Sequence, residues 1–211
     1  MEIHAPDHPI TGWKDTAKHL SIITAGVLIA LALEGIVAWA DHRLLVREAV
    51  ANLTSEIRAN KKELDGIFTD IEKERKQLEH ADDLARLLSA GTPPKGMELS
   101  LYSNVAQLKN AAVTTAQITG AFGYMEYSEV RRYADVYDLQ AQFMRLQERE
   151  GEKFQVVLGF VGRFADSTPP PAAALEAWRK DISSLGASLF VREQLARQLL
   201  KRYDELLTTA R

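Results

Sequence analysis

Apolar positions along this chain follow two different patterns. From Leu20 to Ala40 (LSIITAGVLIALALEGIVAWA) they are almost continuous, and this run of 21 residues has Glu34 as its one charge. As a helix the run is about 31 Å long, enough to cross a hydrocarbon core of about 30 Å. Trp13 and Trp39 bracket it, about 39 Å apart on a helix, which suits aromatic anchors at two headgroup belts. The run exceeds the apolar core of a secretory signal, lacks a small-x-small cleavage pattern, and continues into the helical DHRLLVREAV. The pattern predicts a tail over 1–19 and a single transmembrane helix over 20–40. Lys14 and Lys18 on one side nearly balance Arg43, Arg47 and Arg58 on the other, so the positive-inside rule leaves the orientation undecided.

Beyond the span the pattern becomes periodic. Val46, Val50, Leu53, Ile57, Leu64, Ile67, Ile71, Leu78, Ala81, Ala85 and Leu88 recur at intervals of three and four, with Asn60 and Glu74 filling two polar slots in the same register. A 3.5-residue period specifies a left-handed packing seam along one or more partner helices, from this chain or from another copy. Asn60 in such a seam is a device for fixing register or oligomer state. The stretch 89–97 (SAGTPPKGM) reads as a loop. Leu101, Val105, Leu108, Ala112 and Ala116 predict a weaker helix over about 98–119. A third helix is expected over 125–165, carrying Val130, Tyr133, Tyr137, Met144, Val157 and Val161, with a kink near Gly151. A fourth is expected over 172–209, with Leu175, Trp178, Ile182, Leu185 and Leu189 on one face, then Leu195, Leu199, Tyr203 and Leu206. No segment alternates with period two for long. The expected fold is all-α: a transmembrane helix continuing into a long heptad helix over 41–89, packed in a three- to four-helix bundle over 41–211.

Within the span, Gly26, Ala30, Glu34 and Ala38 fall on one stripe in steps of four. Small residues at this spacing let helix backbones approach closely, and a carboxyl at this depth normally faces protein or water. The stripe reads as a helix–helix interface; the alternative is that Glu34 snorkels to the nearer headgroup layer beside Trp39.

Two stretches carry a resemblance. The run HLSIITAGVLIALALEGIVAWADHRLLVREAVANLTSEIRANKKEL resembles the start of an uncharacterised family of small bacterial single-pass membrane proteins, which share a V-x-x-G-x-L-I-A-L-like span leading into a charged helix. TTAQITGAFGYMEYSEVRRYADVYDLQAQF is similar to their later part, with its small-residue turn, aromatic pair and Y-A-x-V-Y segment. The resemblance implies a helical protein anchored in the bacterial inner membrane, and it brings no activity, cofactor or catalytic residue with it.

Composition narrows the chemistry. With 26 Lys and Arg against 29 Asp and Glu the net charge is -3, which lacks the basic excess of a nucleic-acid binder. The absence of cysteine removes disulfides, thiolate metal sites and a cysteine nucleophile. There is no Walker loop, G-x-S-x-G elbow, H-E-x-x-H helix or dinucleotide loop, and no histidine follows a carboxylate by three as a di-iron bundle requires. His4 and His8 flank Asp7 in a tail, His19 and His42 flank the span, and His80 lies among Glu79, Asp82 and Asp83; each is read as solvated or interfacial, with no metal and no cofactor expected. The densest polar-aromatic cluster is Tyr124, Glu126, Tyr127, Glu129 and Arg132 after the Gly120–Gly123 turn, either a ligand or partner surface or a helix start with tyrosines wedged between helices.

These readings converge on a non-enzymatic scaffold or accessory subunit of a membrane complex. Its partners would be the lipid bilayer and either further copies or other membrane-protein subunits, met through the span stripe and the seam Val50, Leu53, Ile57, Asn60, Leu64, Ile67, Ile71 and Leu78. The alternative is a helical ligand-sensing module that signals through a partner.

Overall fold

The computed structural model describes residues 12–92, 99–164 and 170–209. These form four α-helices, α1 (Trp13–Ser89), α2 (Ala111–Ile118), α3 (Tyr127–Phe164) and α4 (Ala172–Thr209), with a 3-10 turn at Ala121–Tyr124. No β-strand occurs among the described residues, and the chain is all-α as its periodicity predicts. The expected tail falls mostly outside the described residues, as does most of the expected 89–97 loop.

The chain divides into two units, Met1–Glu48 and Ala49–Arg211. In the first, helical unit, the most apolar 18-residue stretch has a mean hydropathy of 2.3, and none of it is covered by the rest of the chain. By length and composition this is one candidate membrane span near the N-terminus. Trp39 lies under the Arg43 guanidinium, 5.4 Å from its ring centroid, a cation–π pair at the end of the apolar run.

The second unit is the bundle, and it begins at Ala49, not at the expected Asp41. Leu44 is still 55% exposed, and Ala49 is the first buried residue. The predicted seam is its core: Leu53, Ile57, Asn60, Leu64, Ile67, Ile71, Glu74, Leu78, Ala81 and Ala85 are all buried. Val50 at its head is half-buried. What covers the seam is the rest of this chain. Leu78, Ala81 and Ala85 pack with Val157 and Phe160 of α3 and with Leu175, Trp178, Ile182, Leu185 and Leu189 of α4. Trp178 stacks on Phe160 with centroids 4.3 Å apart and donates its indole N–H to the Val157 carbonyl at 3.0 Å, so its large apolar body is buried without orphaning its polar end.

Local chemistry sets the helix ends. After Ser89, Gly91 adopts φ +71°, its N–H bonds to the Leu88 carbonyl and that of Thr92 to Leu87. This left-handed Schellman closure is one that glycine enters without steric cost. Gly120, also left-handed at φ +73°, links α2 to the 3-10 turn, its N–H bonding to the Gln117 carbonyl. Pro171 precedes α4, its carbonyl taking the first helical bonds from Ala174 and Leu175. α3 runs unbroken through Gly151, where a kink was expected.

One predicted element changes. The helix expected over about 98–119 is helical only from Ala111; residues 99–110 are non-helical and form a strap laid against the helices. The apolar spacing Leu101, Val105, Leu108 fits a helix, but Val105 is 45% exposed while Ala106 and Leu108 are buried. The strap has no neighbouring strand to pair with among the described residues, and Ser100, Ser103 and Asn104 weaken helical propensity.

Candidate functional site

A strap without a ladder partner must find other partners for its peptide groups. They come from side chains of the surrounding helices. From α1, Gln77 accepts the Tyr102 N–H at 2.9 Å, Glu74 that of Asn104 at 2.7 Å, Glu63 that of Gln107 at 3.1 Å, and Asn60 that of Lys109 at 2.8 Å. From α3, Gln147 brackets Ala106, accepting its N–H at 2.8 Å and donating to its carbonyl at 3.2 Å. Gln140 and Asn60 both donate to the Lys109 carbonyl, at 2.8 and 2.7 Å. Glu56 accepts the Ala112 N–H in the first turn of α2 at 2.9 Å and the Tyr137 hydroxyl at 2.7 Å.

This order makes a polar file through the core. The Gln140 Oε1 accepts from Asn60 at 3.1 Å and from the Tyr203 hydroxyl at 2.6 Å. Burial raises the Tyr133, Tyr137 and Tyr203 hydroxyls above the ordinary phenol range, and the Glu56 carboxylate adds to this at Tyr137. These groups are held neutral as donors. Asn60, expected to fix register or oligomer state, instead clamps the strap of its own chain.

Further along lies an ion cluster. Arg192 of α4 is fully buried between Glu74 of α1 and Glu150 of α3. Its Nη2 donates to Glu74 in a short charge-assisted bond, and its Nη1 lies 3.2 Å from a Glu150 oxygen and donates to the Asn104 carbonyl at 3.3 Å. The Glu150 contact is an ion pair without hydrogen-bond alignment, and the Arg192 Nε is unpartnered within the chain. Burial pushes Glu150 up to about 7 against the pull of Arg192, with Glu74 adding to the rise. Burial also raises Glu74, opposed by Arg192 and the Asn104 N–H.

The residues singled out from sequence are differently placed. Gly26, Ala30 and Glu34 are exposed on the helix of the first unit, Ala38 is half-covered, and Trp13 and Trp39 are exposed. Tyr124, Glu126 and Tyr127 are exposed, Tyr127 by 80%, and Glu129 is half-buried. Arg132 lines a small cleft of about 160 Å³ with Asp135, Val136, Arg202, Glu205, Leu206 and Thr209. A larger open groove of about 590 Å³ lies between α1 and α4, and ion pairs cross it: Asp82 accepts from Arg179 at 2.9 Å and lies 2.5 Å from Arg86. Those hydrogen bonds hold its carboxyl below the usual range. His19 and His80 are exposed, and His4 and His8 lie outside the described residues. Among the described residues no group of three or more His, Asp or Glu is placed to hold a metal ion.

Sequence reasoning found Asn60 and Glu74 but passed over Gln140, Gln147, Glu150 and Arg192. A signal for them existed: each continues the buried phase of its helix, and a glutamate in a seam requires a cation opposite it. Comparison with protein-family models, curated proteins and solved structures finds no match.

Proposed function

We propose that this chain is a non-enzymatic, membrane-anchored helical protein of the bacterial inner membrane, serving as a scaffold or accessory subunit of a membrane complex. The observation that carries the reading is a contrast in coverage. The apolar stretch of the first unit is left uncovered by the chain, whereas the heptad seam of α1 is filled by the rest of this chain. A seam already occupied offers nothing to a second copy, so assembly falls to the span. There the stripe of Gly26, Ala30, Glu34 and Ala38 supplies close approach and one polar group. A Cβ added at Gly26 meets nothing within 4 Å, so a neighbouring helix has room to approach.

The test is the mass and composition of the complex released from native membranes by mild detergent, for the wild-type chain and for Glu34→Leu. Release as a homo-oligomer, or together with other subunits, supports the reading and says which form it takes. Loss of that complex in Glu34→Leu assigns the contact to the stripe. A wild-type chain released as a monomer, or recovered without membranes, refutes the role.

A further inference from the structure

Glu74, Glu150 and Arg192 meet out of reach of solvent, their side chains 4, 3 and 0% exposed. Their charges do not balance: with both carboxylates ionised the cluster carries one surplus negative charge. A buried surplus charge is relieved by binding a proton. The two carboxyls are unequal hosts. Glu74 already accepts on both oxygens, from the Asn104 N–H and from Arg192. Glu150 receives no aligned donor on either oxygen, so protonation there sacrifices no hydrogen bond.

The other charged groups facing the cluster leave this asymmetry in place. On α1, Asp70 adds negative charge on the Glu74 side. On α3, Lys153 acts on Glu150 from a distance, while its ammonium donates to the Ser188 hydroxyl at 2.6 Å and the Ser184 carbonyl at 3.5 Å. α4 contributes Arg192, and the strap contributes only the peptide groups of Asn104.

We propose that Glu150, backed by Glu74 and Arg192, is a buried proton-binding site whose occupancy sets how firmly the bundle holds the strap at Asn104. The coupling runs through Arg192, which pairs with Glu74, approaches Glu150 and donates to the Asn104 carbonyl. When Glu150 ionises, the guanidinium is drawn toward it and away from Glu74 and Asn104. The grip on the centre of the strap then weakens, while the apolar contacts around Trp178 stay as they are. This inference concerns the bundle alone and stands or falls apart from the assembly role.

Amide hydrogen exchange on the full chain in detergent micelles tests it, with rates corrected for the intrinsic pH dependence of exchange. Between pH 6 and 8 protection over 99–110 is expected to fall roughly tenfold, following the ionised fraction of a carboxyl titrating near 7, with amides around Trp178 unchanged. In Glu150→Gln, neutral at every pH, the strap is expected to stay protected at both values. A wild-type strap whose protection does not change with pH overturns the proposal, as does a Glu150→Gln chain that keeps the wild-type slope. If that variant does not fold, infrared difference spectra of the wild type decide. A protonated-carboxyl band present at pH 6 and lost by pH 8 supports the site, and no such band at pH 6 overturns it.

Discussion

Arg192 is the cation between two buried carboxyls, so Arg192→Met isolates what its charge contributes. Methionine keeps much of the apolar stem and fills comparable space. Without the guanidinium, Glu150 takes up its proton cheaply, because it already titrates near 7. The cost therefore falls on Glu74, which must either stay charged and unpaired in the core or become protonated. In the unfolded chain Glu74 has its ordinary value of 4.5, so protonating it at pH 7 spans about 2.5 units at about 1.36 kcal/mol each, about 3 kcal/mol. At pH 5 the same step costs about 1 kcal/mol or less. For a unit of this size, about 3 kcal/mol lowers the unfolding midpoint by roughly 6–12 °C. Thermal unfolding of wild type and variant in detergent, followed by tryptophan fluorescence, is expected to show the full deficit at pH 7 and about a fifth of it at pH 5. An equal deficit at both values would trace the cost to packing or to the lost Asn104 bond. A deficit under about 1 kcal/mol at pH 7 would mean that the charge is not needed at all.

Gln147→Leu strips partners from both the N–H and the carbonyl of buried Ala106, and is expected to cost about 2–5 kcal/mol in chemical denaturation; a near-neutral result would show that the strap finds other partners. Trp178→Ala removes the stacked, fully buried indole and is expected to cost about 3–5 kcal/mol, read by the same assay. Gly120→Ala forces a side chain into φ +73° and is expected to cost about 1 kcal/mol, whereas Gly123→Ala, with open space at its Cβ, is expected to be near neutral. Stability of the wild type is expected to peak well on the acid side of neutrality, about pH 4–5. The raised Glu150 gives stability that is present below its ordinary value and lost as pH climbs through about 7. Asp82 and Glu193, held low by hydrogen bonds from arginines, give stability that is lost as pH falls through their depressed values. Denaturation midpoints that rise steadily from pH 5 to 8 would contradict the Glu150 half of this.

How much of the structure could be read from the sequence depended on how far each residue's partner lay along the chain. α4 was legible end to end, because prolines stop the chain before it and its apolar period runs from Leu175 to Leu206 with one slot, at Arg192, taken by a cation. The α1 seam was equally legible, down to Asn60 and Glu74 as polar members of the core. Glu150 was hidden in the run QEREGEK, where Glu148, Arg149, Glu152 and Lys153 surround it and only helical phase marks it as inward. Arg192 was hidden similarly, between apolar neighbours of α4 that matched the period without it. The strap could not be read at all from local pattern. Its conformation is dictated by Asn60, Glu63, Glu74 and Gln77, which lie 25–49 positions before the strap residues they hold, and by Gln140 and Gln147 on a helix that follows it.

The strap is gripped mainly by its peptide groups, with few side-chain contacts beside them, and this divides the chain into parts that are free to drift and parts that are not. Every residue type except proline supplies the same N–H and carbonyl, so several strap positions carry little information; the exceptions are Ala106 and Leu108, which are buried, Leu99 and Leu101, which pack on the core, and Asn104, whose side chain donates to Asp70. The specification is written instead on the helices, in Asn60, Glu74, Gln140, Gln147 and Arg192. Descendants of this sequence can therefore vary the exposed strap positions while those five side chains, together with Glu63 and Gln77, are retained, and a lineage that loses one of them must change the course of the strap with it.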